Sequence, residues 1–114
     1  MTCSDAFQAY LQAYARKDLP AIESMLSSDV RLCDWNKAVA GRAAVLAETA
    51  KNFAAAEIIE IETLATYARG DGVAGELRIV VDGQTELRVV DVLRFDTSGK
   101  ITDIRAYLGC SDAD

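Results

Sequence analysis

Phe7, Tyr10, Leu11 and Tyr14 recur at i, i+3, i+4 and i+7, the apolar stripe of an amphipathic helix. Ser4 is its expected N-cap. A second helix follows at once: Asp18 caps it, Pro20 is tolerated in a first turn, and Ile22, Met25 and Leu26 form its stripe. The period then changes. In "DVRLCDW", residues 29–35, Val30, Leu32 and Asp34 point one way and Arg31, Cys33 and Trp35 the other, which is a short strand. "NKAVAG" reads as a loop or a short second strand. Gly41 opens a third helix over 42–54, with Val45, Leu46, Thr49 and Phe53 on its inner face. From Glu57 onwards the pattern is strand. "EIIEIETLATYA" places Ile59, Ile61, Thr63, Ala65 and Tyr67 on one face, with a break in alternation at Ile58 that suits a bulge. "RGDG" turns, "VAGELRIVV" returns, Asp82-Gly83 signals a two-residue hairpin, "QTELRVVDVLRFD" pairs back, and "TSG" leads into "KITDIRAYLG". The order α-α-β-(β)-α-β-β-β-β predicts an α+β fold, with helices on one face of an antiparallel meander, in a single domain over residues 1–114.

One position breaks the pattern. In "ELRVVDVLRFD", residues 86–96, Leu87, Val89, Leu93 and Phe95 share a face, and Asp91 sits at its centre. An unpaired carboxylate there costs several kcal/mol, roughly, unless it is paired, hydrogen-bonded or protonated. Two plainer placements are open. An inverted register would turn Val90 and Val92 inwards and Asp91 out beside an arginine, and an inward Asp91 could bond to a tyrosine or to backbone with no further role.

Composition narrows the chemistry. The chain has 114 residues, 51% of them hydrophobic, enough for one real core and too few for two. Net charge is −6 and the Lys and Arg are scattered, which argues against nucleic acid as a partner. No apolar run approaches the roughly 20 residues of a membrane span, and Met-Thr-Cys-Ser-Asp has neither the basic nor the apolar region of a signal peptide. Cys3, Cys33 and Cys110, odd in number and far apart, suit a reducing cytoplasm. Histidine is absent, so acid–base chemistry falls to Asp, Glu, Lys, Tyr or Cys.

The element order, together with "AYARKDLPAIESMLSSDVRLCDW", "GRAAVLA" and "VVDVLRFDTSGKITDIRAYLG", resembles the nuclear transport factor 2-like superfamily over nearly the whole chain. That resemblance implies a cone in which three helices lean on a curved antiparallel sheet and enclose one apolar pocket. Within it, the sequence is similar to ketosteroid isomerase. Tyr10 in "FQAYLQAYARKDLPAI" falls on that family's helical tyrosine, Asp34 in "DVRLCDW" on its general base, and Asp91 in "VVDVLRF" on its second oxyanion donor. The implied reaction needs no metal and no organic cofactor. Asp34 removes a proton next to a ketone, Tyr10 and a protonated Asp91 hold the dienolate oxygen, and Asp34 returns the proton further along the conjugated system. Ketosteroid isomerase keeps its donor aspartic acid neutral by an apolar site, and the resemblance carries that behaviour over to Asp91. The sequence departs from those enzymes at Trp35, where they have proline, at Leu93, which replaces an aromatic, and at Leu26 and Thr49, where they often carry side chains that buttress the tyrosine.

Each of the three residues also has an ordinary reading. Tyr10 can be a core aromatic with a satisfied hydroxyl, and Asp34 can reach solvent or cap a turn. Cys33 is expected to face away from the pocket, Tyr67 and Tyr107 to pack on the sheet, Arg94 and Arg105 to pair with carboxylates across strands, and Glu57, Glu60 and Glu62 to form a solvated face. The expected partner is an apolar small molecule. The spare apolar surface on the late strands, with Val80, Val90 and Val92, predicts a symmetric homodimer through the sheet. The alternatives to an isomerase are a related polyketide cyclase-like enzyme and a dimeric pocket protein that binds an apolar molecule without catalysis.

Overall fold

Helix α1 spans Cys3–Ala15 and starts earlier than the Ser4 cap predicts. Thr2 is the cap: its Oγ1 accepts from the Asp5 N–H at 3.0 Å, and Asp5 Oδ2 accepts from the Thr2 N–H at 3.0 Å. That reciprocal pair needs an acidic side chain three residues after the cap, which Thr2 has and Ser4, followed by Phe7, does not. Helix α2, Leu19–Met25, is capped by Asp18 as expected, and α3, Arg42–Ala54, follows Gly41 at φ +93°. Leu26, placed by its spacing on the α2 stripe, instead begins the first strand. A computed structural model describes residues 1–110.

Six strands form one sheet: β1 (Leu26–Cys33), β2 (Ala38–Ala40), β3 (Ile59–Arg69), β4 (Gly72–Val81), β5 (Thr85–Phe95) and β6 (Ile101–Leu108), in the order β2-β1-β6-β5-β4-β3. β3 to β6 are the expected meander. The sheet as a whole is mixed, because β1 pairs parallel to β6 before β2 folds back on it. The hairpin at Asp82-Gly83 has both residues at positive φ, 54° and 68°, the primed turn that matches strand twist. Asp82 also accepts the Glu57 and Ile58 N–H groups on Oδ1, both at 2.8 Å. The Ile58 carbonyl accepts the Asp82 N–H in return at 2.8 Å, and regular pairing of β3 starts at Ile59.

The irregularity of β3 lies at Leu64, not Ile58. Thr63 pairs with Leu77 and Ala65 with Glu76, so one extra residue is absorbed between them. Beyond it the alternation inverts. Ile59, Ile61 and Thr63 face inwards, whereas Ala65 and Tyr67 follow Glu76 and Ala74 to the outer face, and Tyr67 is 66% exposed. Arg94 approaches Asp71 (3.8 Å), and Glu62, Arg78, Glu86 and Arg88 form a ladder of ion pairs across the outer face. Arg105 pairs with no carboxylate among the described residues, contrary to the expectation from its strand position.

The helices cover the inner face. Phe7, Leu11 and Ile22 meet Leu77, Leu93 and Ile101 in a single buried cluster. Phe7 fixes how closely α1 approaches β4: a Cβ built on Gly75 would lie 2.4 Å from its Cζ. No helix among the described residues is long and apolar enough to cross a membrane. Gly75→Ala therefore forces the fully buried Phe7 ring off its seat. The expected loss is about 1–3 kcal/mol, read as a lowered urea midpoint, and Phe7→Leu in the same chain should recover part of it.

Candidate active site

Between the helices and the inner face of the sheet lies a cavity of about 440 Å³, within the size range of small-molecule sites. Its walls are mostly aliphatic, with Ile59, Ile61, Ile79, Val81, Leu87 and Val89 from the sheet. Tyr10, Asp34 and Asp91, drawn from α1, the end of β1 and the middle of β5, all line this one cavity. Trp35 lines it too, and at 45% exposed it stands at the mouth rather than filling the interior.

The β5 register decides the placement of Asp91. It sits between Gly75 on β4 and Ala106 on β6, on the face of the buried Val89 and Leu93. Val90 and Val92 take the outer face, so the inverted register is excluded. Among the described residues nothing hydrogen-bonds or ion-pairs with the Asp91 carboxyl. Burial alone pushes that carboxyl up to about 7. At neutral pH a large share of the molecules therefore carry a neutral acid there, able to donate a hydrogen bond.

Tyr10 is 3% exposed, one of the most buried residues of α1. Among the described residues its hydroxyl has no partner and no fully buried polar side-chain atom is left unsatisfied, so the hydroxyl opens onto the cavity. Burial pushes its phenol well above the usual range, with neighbouring Tyr14 and Asp91 adding to the effect. Tyr10 stays protonated and is a donor. Thr49, at the position that often buttresses the tyrosine in steroid enzymes, gives its hydroxyl to the Val45 carbonyl at 2.8 Å instead.

Asp34 does two things at once. Its Oδ1 accepts the N–H groups of Asn36 at 2.7 Å and Lys37 at 2.9 Å, closing the turn between β1 and β2. That oxygen caps a local turn, as the ordinary reading of this residue expects. Oδ2 has no partner among the described residues, and Asp34 lines the cavity. Near the mouth, Lys37 pairs with Glu48 at 2.7 Å, tying this turn to α3.

Two polar residues of the site do not stand out in the sequence. Tyr14 lies one turn after Tyr10 on α1, with ring centroids 6.0 Å apart, and stands edge-on to Phe53 at 4.9 Å. Its Oη accepts a hydrogen bond from Asn52 Nδ2 at 3.0 Å. The i, i+4 spacing to Tyr10 is visible in the helical stripe, but the partner 38 positions away is not. No group of three or more His, Cys, Asp or Glu side chains among the described residues is arranged to hold a metal ion.

The SnoaL-like domain model matches residues 7–104. No curated protein matches the sequence. Solved structures share the fold at low identity. A chain of Kribbella flavida DSM 17836 provisionally named a ketosteroid isomerase superimposes with a TM-score of 0.83 at 15% identity, covering 98% of this chain and 81% of that one. A Mycobacterium tuberculosis LEH-like epoxide hydrolase gives 0.79 at 19% identity, over 94% and 82%. A computationally designed 17-OHP binder gives 0.80 at 21%, over 91% and 90%. The likeness confirms the α+β nuclear transport factor 2-like fold.

Asp91 has a measurable signature. Its folded pKa, about 7, lies above that of an unfolded Asp. Between roughly pH 4 and 7 the folded state therefore binds more protons than the unfolded state. This group's contribution is fully present below pH 4 and is lost as pH rises through 7. Asp91→Asn removes the dependence. The variant should be more stable than wild type at pH 8 by about 4 kcal/mol, with the gap closing towards pH 4 in urea melts. A constant gap across that range would mean that the Asp91 carboxyl is not held neutral.

Proposed function

The chain belongs to the SnoaL-like domain family, and we propose that it is a ketosteroid isomerase-like enzyme that moves a double bond by intramolecular proton transfer in an apolar ketone. The observation that carries this reading is Asp91. Its carboxyl, without a partner among the described residues, is raised to about 7 by burial, and Asp91 shares one cavity with Tyr10 and Asp34.

In this mechanism Asp34 Oδ2 takes a proton from the carbon next to the ketone. The electron pair of that C–H bond passes into the carbonyl, and the oxygen takes up negative charge. The Tyr10 hydroxyl and the Asp91 acid donate hydrogen bonds to it, in a cavity whose apolar walls make such bonds stronger than in water. Asp34 then returns its proton to a carbon further along the conjugated system. A flat apolar substrate fits the aliphatic walls, and neither a metal nor an organic cofactor takes part.

A second reading keeps the pocket and drops the chemistry: a non-catalytic protein that binds an apolar small molecule. It is favoured by Asp34 Oδ1, which is committed to a turn, and by the Tyr10 hydroxyl, which has no brace among the described residues. A polyketide cyclase-like enzyme would use the same acid–base pair on another substrate. Isomerisation of a Δ5-3-ketosteroid, followed by the ultraviolet band of the conjugated enone, separates these. The isomerase should turn over, and Asp34→Asn should lower kcat by about 10²–10⁴-fold, the usual weight of a general base. No turnover above buffer by wild type would eliminate the steroid isomerase and leave the binding and cyclase readings.

We also propose a homodimer through the outer face of the sheet, in a reducing compartment such as the cytoplasm. Tyr67 on β3, Tyr107 on β6 and Val90 on β5 are 66%, 55% and 36% exposed there, together with half-buried Val80 and Val92, and Cys3, Cys33 and Cys110 are free thiols. No membrane and no nucleic acid enters this picture. Sedimentation should show a dimer that Val90→Lys with Tyr107→Glu converts to a monomer of unchanged far-ultraviolet spectrum. A wild-type monomer at micromolar concentration would reject the dimer.

A further inference from the structure

Tyr14 carries a hydrogen-bonding capacity that the mechanism above leaves unused. Its Oη accepts from Asn52 Nδ2, so its own O–H proton is left to donate elsewhere. No protein acceptor for that proton exists among the described residues. Tyr14 and Asn52 both line the cavity, and Asn52 is exposed where Tyr10 is buried. The Tyr14–Asn52 pair therefore stands nearer the mouth, one helical turn from Tyr10, with the two rings 6.0 Å apart. Its electrical surroundings agree: burial pushes the Tyr14 phenol up, the Asn52 bond opposes this, and both Asp91 and Asp34 add to the rise. Tyr10 feels Asp91 but not Asp34 in the same way. Geometry places Asp34 at the same end of the cavity: its turn carries Lys37, which Glu48 holds at 2.7 Å, one helical turn before Asn52 on α3.

We propose that Tyr14, oriented by Asn52, is a third hydrogen-bond donor of the pocket and binds a second oxygen of the ligand, on the Asp34 side of the one held by Tyr10 and Asp91. The ligand class is then an apolar, flat molecule with two oxygen functions along one edge, rather than a hydrocarbon with a single ketone. Asn52 is a positioning residue, because it acts through the Tyr14 oxygen. The inference rests on the cavity being a ligand site, as the proposed function requires.

Tyr14→Phe is a suitable probe. It keeps the ring that packs against Phe53 and removes only the oxygen. Asn52 is exposed, so Asn52→Leu disturbs little packing. The ligands are 2-naphthol, with one oxygen, and the 1,3-, 1,6- and 2,7-dihydroxynaphthalenes, with two at different spacings, titrated by fluorescence. In wild type at least one dihydroxy isomer should bind about 3–10-fold tighter than 2-naphthol, the worth of one hydrogen bond. Tyr14→Phe should abolish that preference while leaving the affinity for 2-naphthol unchanged, and Asn52→Leu should reduce it. Equal binding of all four ligands by wild type would overturn the proposal, as would a preference that survives Tyr14→Phe or an equal loss for every ligand. Failure of wild type to bind any of them would overturn the pocket reading and this inference with it.

Discussion

Asp91 is flanked across the sheet by two small residues, Gly75 and Ala106, on the face that lines the cavity. The Phe7 ring occupies the room above Gly75 that a side chain would otherwise fill. Among the described residues the carboxyl therefore has small apolar neighbours across the sheet and no cation paired with it. Among the described residues, Lys37 is the one cation along the cavity wall, and Glu48 already holds it at the mouth. Burial in such surroundings disfavours the charged carboxylate, so the proton stays on to higher pH. The seating of α1 on β4 and the protonation of Asp91 are thus two consequences of one arrangement.

The same helix supplies both phenols. Tyr10 and Tyr14 are four residues apart and project from one face of α1, so their separation is set by helix geometry. α3 supplies the counterparts, Asn52 to the Tyr14 oxygen and Phe53 to the edge of its ring. The spacing of α1 and α3 then controls the pocket's polar groups. Lys17, at the α1–α2 corner with φ of 58°, donates its Nζ proton to the Ala56 carbonyl just beyond α3 and ties the two ends together. Phe7 fixes α1 against the sheet, and this contact fixes it against α3.

Most of the architecture is legible because it is written in short-range periodicity. The α3 limits, the Asp18 cap, the Asp82-Gly83 turn and the inward face of β5 all follow from residues within a few positions of one another. What escapes is either non-local or chemically silent. The parallel pairing of β1 with β6 joins segments some 70 positions apart, and no local pattern announces it. The Leu64 bulge lies in a run of small and apolar residues where either alternation is acceptable, and only the partner strand's Leu77 and Glu76 reveal the slip. The Thr2–Asp5 cap is readable from spacing, but Ser4, closer to the apolar stripe, is the more obvious candidate. Of the site, the three residues singled out by pattern and resemblance do line one cavity. The partial commitment of Asp34 to a turn depends on backbone geometry, and the pairing of Tyr14 with Asn52 on how α1 and α3 pack. Their functional roles rest on the proposal, because likeness at 15–21% identity shows fold and not chemistry.

A core built for stability alone would place valine or leucine at position 91, continuing the alternation of its neighbours. The carboxyl there destabilises the fold increasingly as pH rises towards 7, since unfolding would release it to ionise in water. That cost and the proposed activity have one origin. Desolvation that was relieved by an arginine, or by a structural hydrogen bond, would lower the pKa and remove the neutral donor. Left unrelieved, it keeps an acid aimed into an apolar cavity at a pH where free aspartic acid is ionised. Nothing within the described protein claims the donor capacity of Asp91, Tyr10 and Tyr14. A ligand oxygen that did so would recover hydrogen bonds the folded protein has left unmade, and the affinity of the pocket would come chiefly from that deficit rather than from the area of its walls.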